Sequence, residues 1–198
     1  PLFHVNAAFV TSLNAIIGAG KVILAGPDGF RNQQLIHDFW HLIEKYKVTF
    51  FAAVPTIYAT LLDQPISNLD TSSLINCGCG AAPMPVSLID NFARTTGADI
   101  MEGYGMTETI AVATTHYVYG DRKVGSVGMR IPYHNVRIAI TDDNGNITKD
   151  CGLNQVGIIF HKGASTFPGY KQEDANVGVW SDGWFNSGDM GRIDEEGY

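Results

Sequence analysis

Most of the chemistry expected of this chain is concentrated in one stretch, Glu102-Gly103-Tyr104-Gly105-Met106-Thr107-Glu108. Gly103 and Gly105 let the backbone approach a ligand closely, so Tyr104 between them can turn its ring towards a flat partner. Thr107 can donate to a phosphate oxygen. Glu108 beside it can hold Mg²⁺, a hard cation usually bound through one or two carboxylates plus substrate phosphates. A stacking face, a phosphate donor and a metal ligand in that order point to a nucleotide site. The plainer alternative is a glycine-rich strand-to-loop turn around a core tyrosine, because short motifs recur without function.

The elements that must position this stretch follow from hydrophobic period and turn residues. Phe3 to Ile17 reads as a helix stopped by Gly18-Ala19-Gly20, followed by a strand over Lys21 to Leu24 and a turn at Gly26-Pro27-Asp28-Gly29. Leu35, Ile36, Phe39, Trp40, Leu42, Ile43 and Tyr46 recur at helical steps. Val48 to Val54 is an unbroken β-prone run, the pattern of a strand buried on both faces, and Pro55 opens the next helix. Leu74 to Cys79 repeats the strand and ends in Gly80-Ala81-Ala82-Pro83. A helix with Val86, Ile89, Phe92 and Ala93 on its apolar side follows Pro85 and stops at Gly97, and Asp99 to Met101 leads into the central stretch.

Strands alternating with helices predict an α/β fold, part of a doubly wound and mostly parallel sheet. In such sheets ligands sit beyond the carboxyl ends of the strands, where both Gly80 and Glu102 fall. After about Tyr119 the helical period disappears. Short strands (127–131, 135–141, 156–161 and 190–193), an Asp142-Asp143-Asn144-Gly145 hairpin turn and a glycine-rich segment at 182–189 predict a small antiparallel, barrel-like unit. The expected division is 1–123 and 124–198.

Composition narrows the function classes. The net charge of −7 over 198 residues argues against a nucleic-acid surface, and no apolar run approaches a membrane span. The amino end lacks the charged region and cleavage pattern of a signal peptide. Cys77, Cys79 and Cys151 are too few for a disulfide framework, which fits a reducing, cytoplasmic setting. Cys77-Gly78-Cys79 lacks zinc-site spacing. His37, His41, His116, His134 and His161 show no metal spacing either and are expected to be structural.

Six segments in this order resemble the adenylate-forming acyl-CoA synthetases, the group that includes fatty-acyl, coumaroyl and acetyl-CoA ligases, luciferases and peptide-synthetase adenylation domains. They are Pro1-Leu2-Phe3-His4, Val54-Pro55-Thr56, Gly80-Ala81-Ala82-Pro83, Tyr104-Gly105-Met106-Thr107-Glu108, Gly125-Ser126-Val127-Gly128 and Ser187-Gly188-Asp189. The resemblance implies a two-step reaction. A carboxylate attacks the α-phosphate of ATP to give an acyl-AMP and pyrophosphate, and a thiol, usually that of CoA, then takes the acyl group. It implies adenine between Gly80, Ala81, Ala82, Pro83 and the Tyr104 ring, within a nucleotide site that includes Glu102, Gly103, Gly105 and Met106. It further implies Thr107 on the α-phosphate, Glu108 on Mg²⁺, Asp189 on the ribose hydroxyls and His4 beside the acyl carbonyl. Ser187 stands where the family often has Thr.

The family's lysine-bearing phosphate loop is not in this sequence and would lie upstream of Pro1, while the C-terminal domain would begin beyond Tyr198. The chain is therefore expected to be an internal piece of the large N-terminal domain and catalytically inactive alone. The apolar Val48 to Pro55 run favours an acyl chain, hence a fatty acid, over an α-amino acid. Two other readings stay open: an adenylating enzyme with a carrier-protein acceptor, and a non-catalytic AMP- or ATP-binding module. Nothing in the sequence sets the oligomeric state.

Overall fold

A computed structural model describes residues 3–198. Pro1 and Leu2, half of the first matched segment, lie outside the described residues. Beyond them a wide π-type helix (Asn6–Leu13) runs into a short α1 (Asn14–Ile17), and neither buries a residue. The strand expected over Lys21 to Leu24 does not form: among the described residues this segment has no strand partner, and Leu24 is exposed. Its composition suits a strand, but an extended segment needs a neighbour to take its N–H and C=O groups.

The first half is built on three helices packed over one face of a parallel ladder. Asn32 caps α2 (Gln33–Tyr46) by accepting the Gln34 N–H at 2.9 Å, and Lys47 ends it in the left-handed region. Pro55 occupies the first turn of α3 (Pro55–Leu62), where its missing N–H costs nothing. Pro85 precedes α4 (Val86–Thr96), and Gly97 stops it at φ 76°. Beneath them lie β1 (Ala52–Ala53), β2 (Asn76–Cys79) and β3 (Asp99–Tyr104), parallel and in that order.

The core is aromatic. Trp40, Phe39, Phe51, Tyr58 and Phe92 meet mostly edge to face, 4.9–6.3 Å between ring centres, an arrangement that adds to the burial of the rings. Their polar ends are satisfied. The Trp40 indole N–H donates to the Leu61 carbonyl at 2.9 Å, and the Tyr58 hydroxyl to the Gly78 carbonyl at 2.7 Å.

This packing corrects one expectation. Val48 to Val54 is not buried on both faces. Phe51 and, across the register, Cys77 and Ile100 point into the helical core, whereas Phe50, Ala52, Gly78 and Met101 are only half-buried on the other side. Apart from Thr49 the run is apolar, so its sequence could not show that α2, α3 and α4 would share one core.

After β3 the sheet turns antiparallel through β4 (Thr114–Thr115) and β5 (Met129–Arg130). A second, wholly antiparallel sheet takes the order β7-β6-β8-β10-β9, from β6 (His134–Thr141), β7 (Ile147–Asp150), β8 (Gly157–Gly163), β9 (Trp180–Ser181) and β10 (Trp184–Gly191). The Asp142 to Gly145 hairpin turn forms as expected, with Asp142 Oδ1 accepting the N–H groups of Asn144 and Asn146. The final strand starts at Trp184, earlier than the expected Met190. Asp182 and Gly183, both at positive φ, make a two-residue turn that sends β10 straight back along β9.

Candidate functional site

The parallel register brings the chemistry to one edge. Ala53, Cys79 and Glu102 are aligned across β1, β2 and β3, so the Gly80 turn and the Gly103 loop leave the sheet side by side at its carboxyl end. They open onto a cavity of about 1070 Å³. Its wall includes Ala81, Ala82 and Pro83 from the first turn, Glu102 to Met106 from the second, and Asp189 from β10. Gly80 sits just behind, close to the Gly103 carbonyl, and Ala81 takes a positive φ of 67°.

Tyr104 spans the gap between the sheets. Its hydroxyl donates to Asp189 Oδ2 at 2.7 Å, across 85 residues of sequence. Burial first, and then the Asp189 carboxylate, raises this phenol above its ordinary range. Asp189 owes its position to a break in the ladder: β10 changes register against β8 between Asn186 and Met190, a bulge of the kind that re-aims side chains. Gly188 turns there at φ 74°. The Ser187 hydroxyl donates to the Ile159 carbonyl at 2.7 Å and accepts the Asp189 N–H at 3.1 Å. The residue that varies from the Thr-Gly-Asp pattern thus uses its hydroxyl to anchor the bulge.

The loop after Tyr104 is wound tightly. The Ala113 N–H reaches the Tyr104 carbonyl at 2.8 Å, the Ala111 N–H reaches the Met106 carbonyl at 3.1 Å, and Ile110 and Ala111 are both forced to positive φ. Any side chain at Gly105 would run into the Ala111 backbone, which explains the glycine. The short 3₁₀ turn Thr107–Thr109 is closed by Thr109, whose hydroxyl accepts the Met106 N–H at 3.1 Å. Met106 and Thr109, not Thr107 and Glu108, thus cap this turn, and the Thr107 side chain is exposed.

Glu108 is held twice by a later segment. Its backbone carbonyl accepts the Phe167 N–H at 2.8 Å, and its Oε1 accepts the Tyr170 hydroxyl at 2.7 Å. That hydrogen bond is the main reason the Tyr170 phenol is pushed up to about 12. Asn176 in turn grips Tyr170 through both backbone groups. Glu102, buried at the end of β3, accepts the Gly125 N–H at 3.1 Å and so fixes the Gly125 to Gly128 loop against the cavity.

Thr107, Glu108 and His4 lie outside the cavity lining. His4 is exposed, and its Nδ1 accepts the Asn6 N–H at 3.2 Å. Among the described residues no group of three or more His, Cys, Asp and Glu could cage a metal ion. Glu108, with one oxygen on Tyr170, fits a cation shared with substrate phosphates and not an all-protein site.

Two residues that the sequence did not single out belong to this geometry. Tyr170 orients Glu108 from 62 residues away, and His161 packs its ring 5.7 Å from that of Tyr104. Each contact joins residues far apart in the chain, so nothing in the local sequence marked either one.

The fold is thus an α/β sheet joined to an antiparallel unit, with Tyr104, the adjacent Gly80 to Pro83 turn and the bulge-mounted Asp189 gathered at one cavity. The AMP-binding enzyme family matches residues 1–171, and the chain belongs to it. The chain is 54% identical to a marinolic acid–CoA ligase of Pseudoalteromonas sp. (strain SANK 73390), covering 100% of this chain and 30% of that protein. It is 31% identical to a long-chain-fatty-acid–CoA ligase of Bacillus subtilis (strain 168), covering 100% of this chain and 34% of the relative. The fold is also similar to that of ATP-bound MatB from Rhodopseudomonas palustris, with a TM-score of 0.85, 28% identity, and coverage of 100% of this chain and 37% of that one. The chain thus spans about a third of the length of these relatives. Among the described residues no helix is long and apolar enough to cross a membrane.

Proposed function

We propose that this chain is the nucleotide-binding portion of an ATP-dependent carboxylate–CoA ligase. The enzyme activates a carboxylic acid as its acyl-AMP and transfers the acyl group to CoA. The observation that carries the reading is the Tyr104–Asp189 pair, joined at 2.7 Å and lining one cavity together with the Ala81 to Pro83 turn. In this reading adenine lies between that turn and the Tyr104 ring, and Asp189 accepts the ribose hydroxyls, as a carboxylate with two acceptor oxygens suits. Thr107 donates to the α-phosphate, and His4 belongs beside the acyl carbonyl. Mg²⁺, when bound, neutralises phosphate charge, and Glu108 is the residue that would hold it. The protein contributes positioning and fixed dipoles more than covalent chemistry.

A fatty acid is the favoured substrate. The Val48 to Pro55 run, apolar apart from Thr49, and the similarity to a long-chain-fatty-acid–CoA ligase support that choice. We take 1–123 and 124–198 as two subdomains, with the cavity lined from both. Buried free thiols at Cys77 and Cys79 suit a reducing, cytoplasmic setting. This sequence supplies no lysine-bearing, Ser/Thr/Gly-rich loop for the outer phosphates, so the 198-residue chain alone is inactive.

The test is ATP–pyrophosphate exchange by a full-length enzyme containing this chain, across fatty, aromatic and amino acids, with CoA consumption followed in parallel. Exchange with a fatty acid and matching CoA loss is expected. Glu108→Ala should lower the exchange rate by about 10²-fold or more, the scale of losing one charge-stabilising group. Exchange without CoA loss would move the acceptor to a carrier-protein thiol. Absence of exchange with every acid would leave a non-catalytic nucleotide-binding module.

A further inference from the structure

His134 and His161 are both fully buried, on adjacent strands β6 and β8. His134 Nε2 and His161 Nδ1 are 2.9 Å apart, and His134 Nδ1 lies 2.9 Å from the Ser165 hydroxyl. Among the described residues His161 Nε2 has no hydrogen-bond partner. An unpaired buried polar atom costs about 1–3 kcal/mol, so two aliphatic residues would fill this position more cheaply. Burial, with His134 beside it, lowers His161 to about 4, and burial lowers His134 as well, so both rings are neutral at pH 7.

What the imidazole offers that an aliphatic side chain cannot is a flat face of fixed orientation. The His161 ring packs near two others: Tyr104, tilted by 32° at 5.7 Å between centres, and Phe185, stacked at 6.3 Å and 30°. The Ser165–His134–His161 hydrogen-bond chain stops the imidazole from turning about its own axis. We propose that His161 is a positioning residue for the nucleotide: locked by His134, its ring sets the plane of Tyr104 and, through the Tyr104 hydroxyl, the carboxylate of Asp189. The proposal rests on the reading of Tyr104 and Asp189 as the nucleoside-binding pair.

The experiment measures AMP affinity by titration calorimetry and ATP kinetics by pyrophosphate exchange in a full-length enzyme containing this chain. Parent, His134→Val/His161→Val and His134→Val/His161→Phe are compared. Removing both imidazoles leaves no orphaned nitrogen, so the double variants are expected to fold, and the melting temperature records that they do. The Val/Val variant should bind AMP about two- to tenfold more weakly, the size of one lost ring–ring contact. Its KM for ATP should rise by the same factor with kcat changed by less than about twofold, the mark of lost uniform binding. The Val/Phe variant restores a ring and should recover most of the loss. A merely structural pair would move the melting temperature and leave KM alone.

Val/Val binding AMP like the parent, whatever its melting temperature, would overturn the proposal. Should Val/Val not fold, the ¹⁵N signals of the His161 imidazole in the parent decide: they are expected to shift on saturation with AMP, and unmoved signals overturn it. Asp189→Ala separates the two readings. If it binds AMP as well as the parent, the nucleotide reading falls and the positioning role with it. If it loses AMP while Val/Val keeps it, only the positioning role falls.

Discussion

A buried imidazole pair makes the stability of this chain depend on pH in a direction the residues themselves fix. An unfolded histidine titrates near 6.5, whereas burial holds His161 in the fold at about 4. Between those values the unfolded chain takes up a proton that the folded one refuses. Stability from this residue is therefore complete above about pH 6.5 and is lost as pH falls towards 4, by up to about 3 kcal/mol. The charged and polar groups around it are His134 from β6, Tyr104 from β3, Asp189 from β10 and Ser165 after β8, and of these only the Asp189 carboxylate opposes the shift. Urea denaturation midpoints at pH 7 and pH 4.5 should fall further apart in the parent than in His134→Val/His161→Val. Equal spacing in both would remove the pair as the cause. The sequence marked Tyr104 and Asp189 through motifs that keep their residue types together. It marked His161 only as structural and passed over Tyr170, because each matters through a partner far along the chain.

Among the elements, helices were legible and pairing was not. The apolar period of α2 and α4, with Asn32, Pro85 and Gly97 at their ends, is written locally. Whether Lys21 to Leu24 would find a neighbouring strand, or on which face of Phe51 the helices would gather, depends on contacts made elsewhere. The bulge that aims Asp189 was hidden for the same reason, since a register change exists only relative to β8. The tight loop from Gly105 to Ala113 gives the sharpest test at this scale. Its glycine is required because the Ala111 backbone passes where a Cβ would sit. Gly105→Ala should cost about 1–3 kcal/mol, as overpacking does, and should weaken AMP binding by displacing Thr107 and Glu108. Gly152→Ala is the control, because nothing lies within 4 Å of a Cβ there. Equal melting temperatures for the two variants would show that the loop has room to adjust.

For the whole molecule two opposing terms set the solution behaviour. A net charge of −7 keeps copies apart. Against it stand uncovered apolar side chains: Phe3 is 90% exposed, Ile16 66%, Ile17 77% and Leu24 67%. The π-type helix and α1 bury nothing, and the sheet face carrying Phe50, Ala52 and Met101 is only half covered. Apolar surface gathered in patches tends to mark contact sites, while repulsion between exposed charges is screened within about 10 Å at 0.1 M salt. The apolar term should therefore prevail at ordinary ionic strength, and the 198-residue chain should self-associate. Light scattering over a concentration series should show a weight-average mass that rises with concentration and rises faster at higher salt. Ile16→Lys/Ile17→Lys, two changes in a helix without buried residues, should move the profile towards the monomer without lowering the melting temperature. A monomeric mass at every concentration and salt would mean that charge repulsion outweighs this exposed surface.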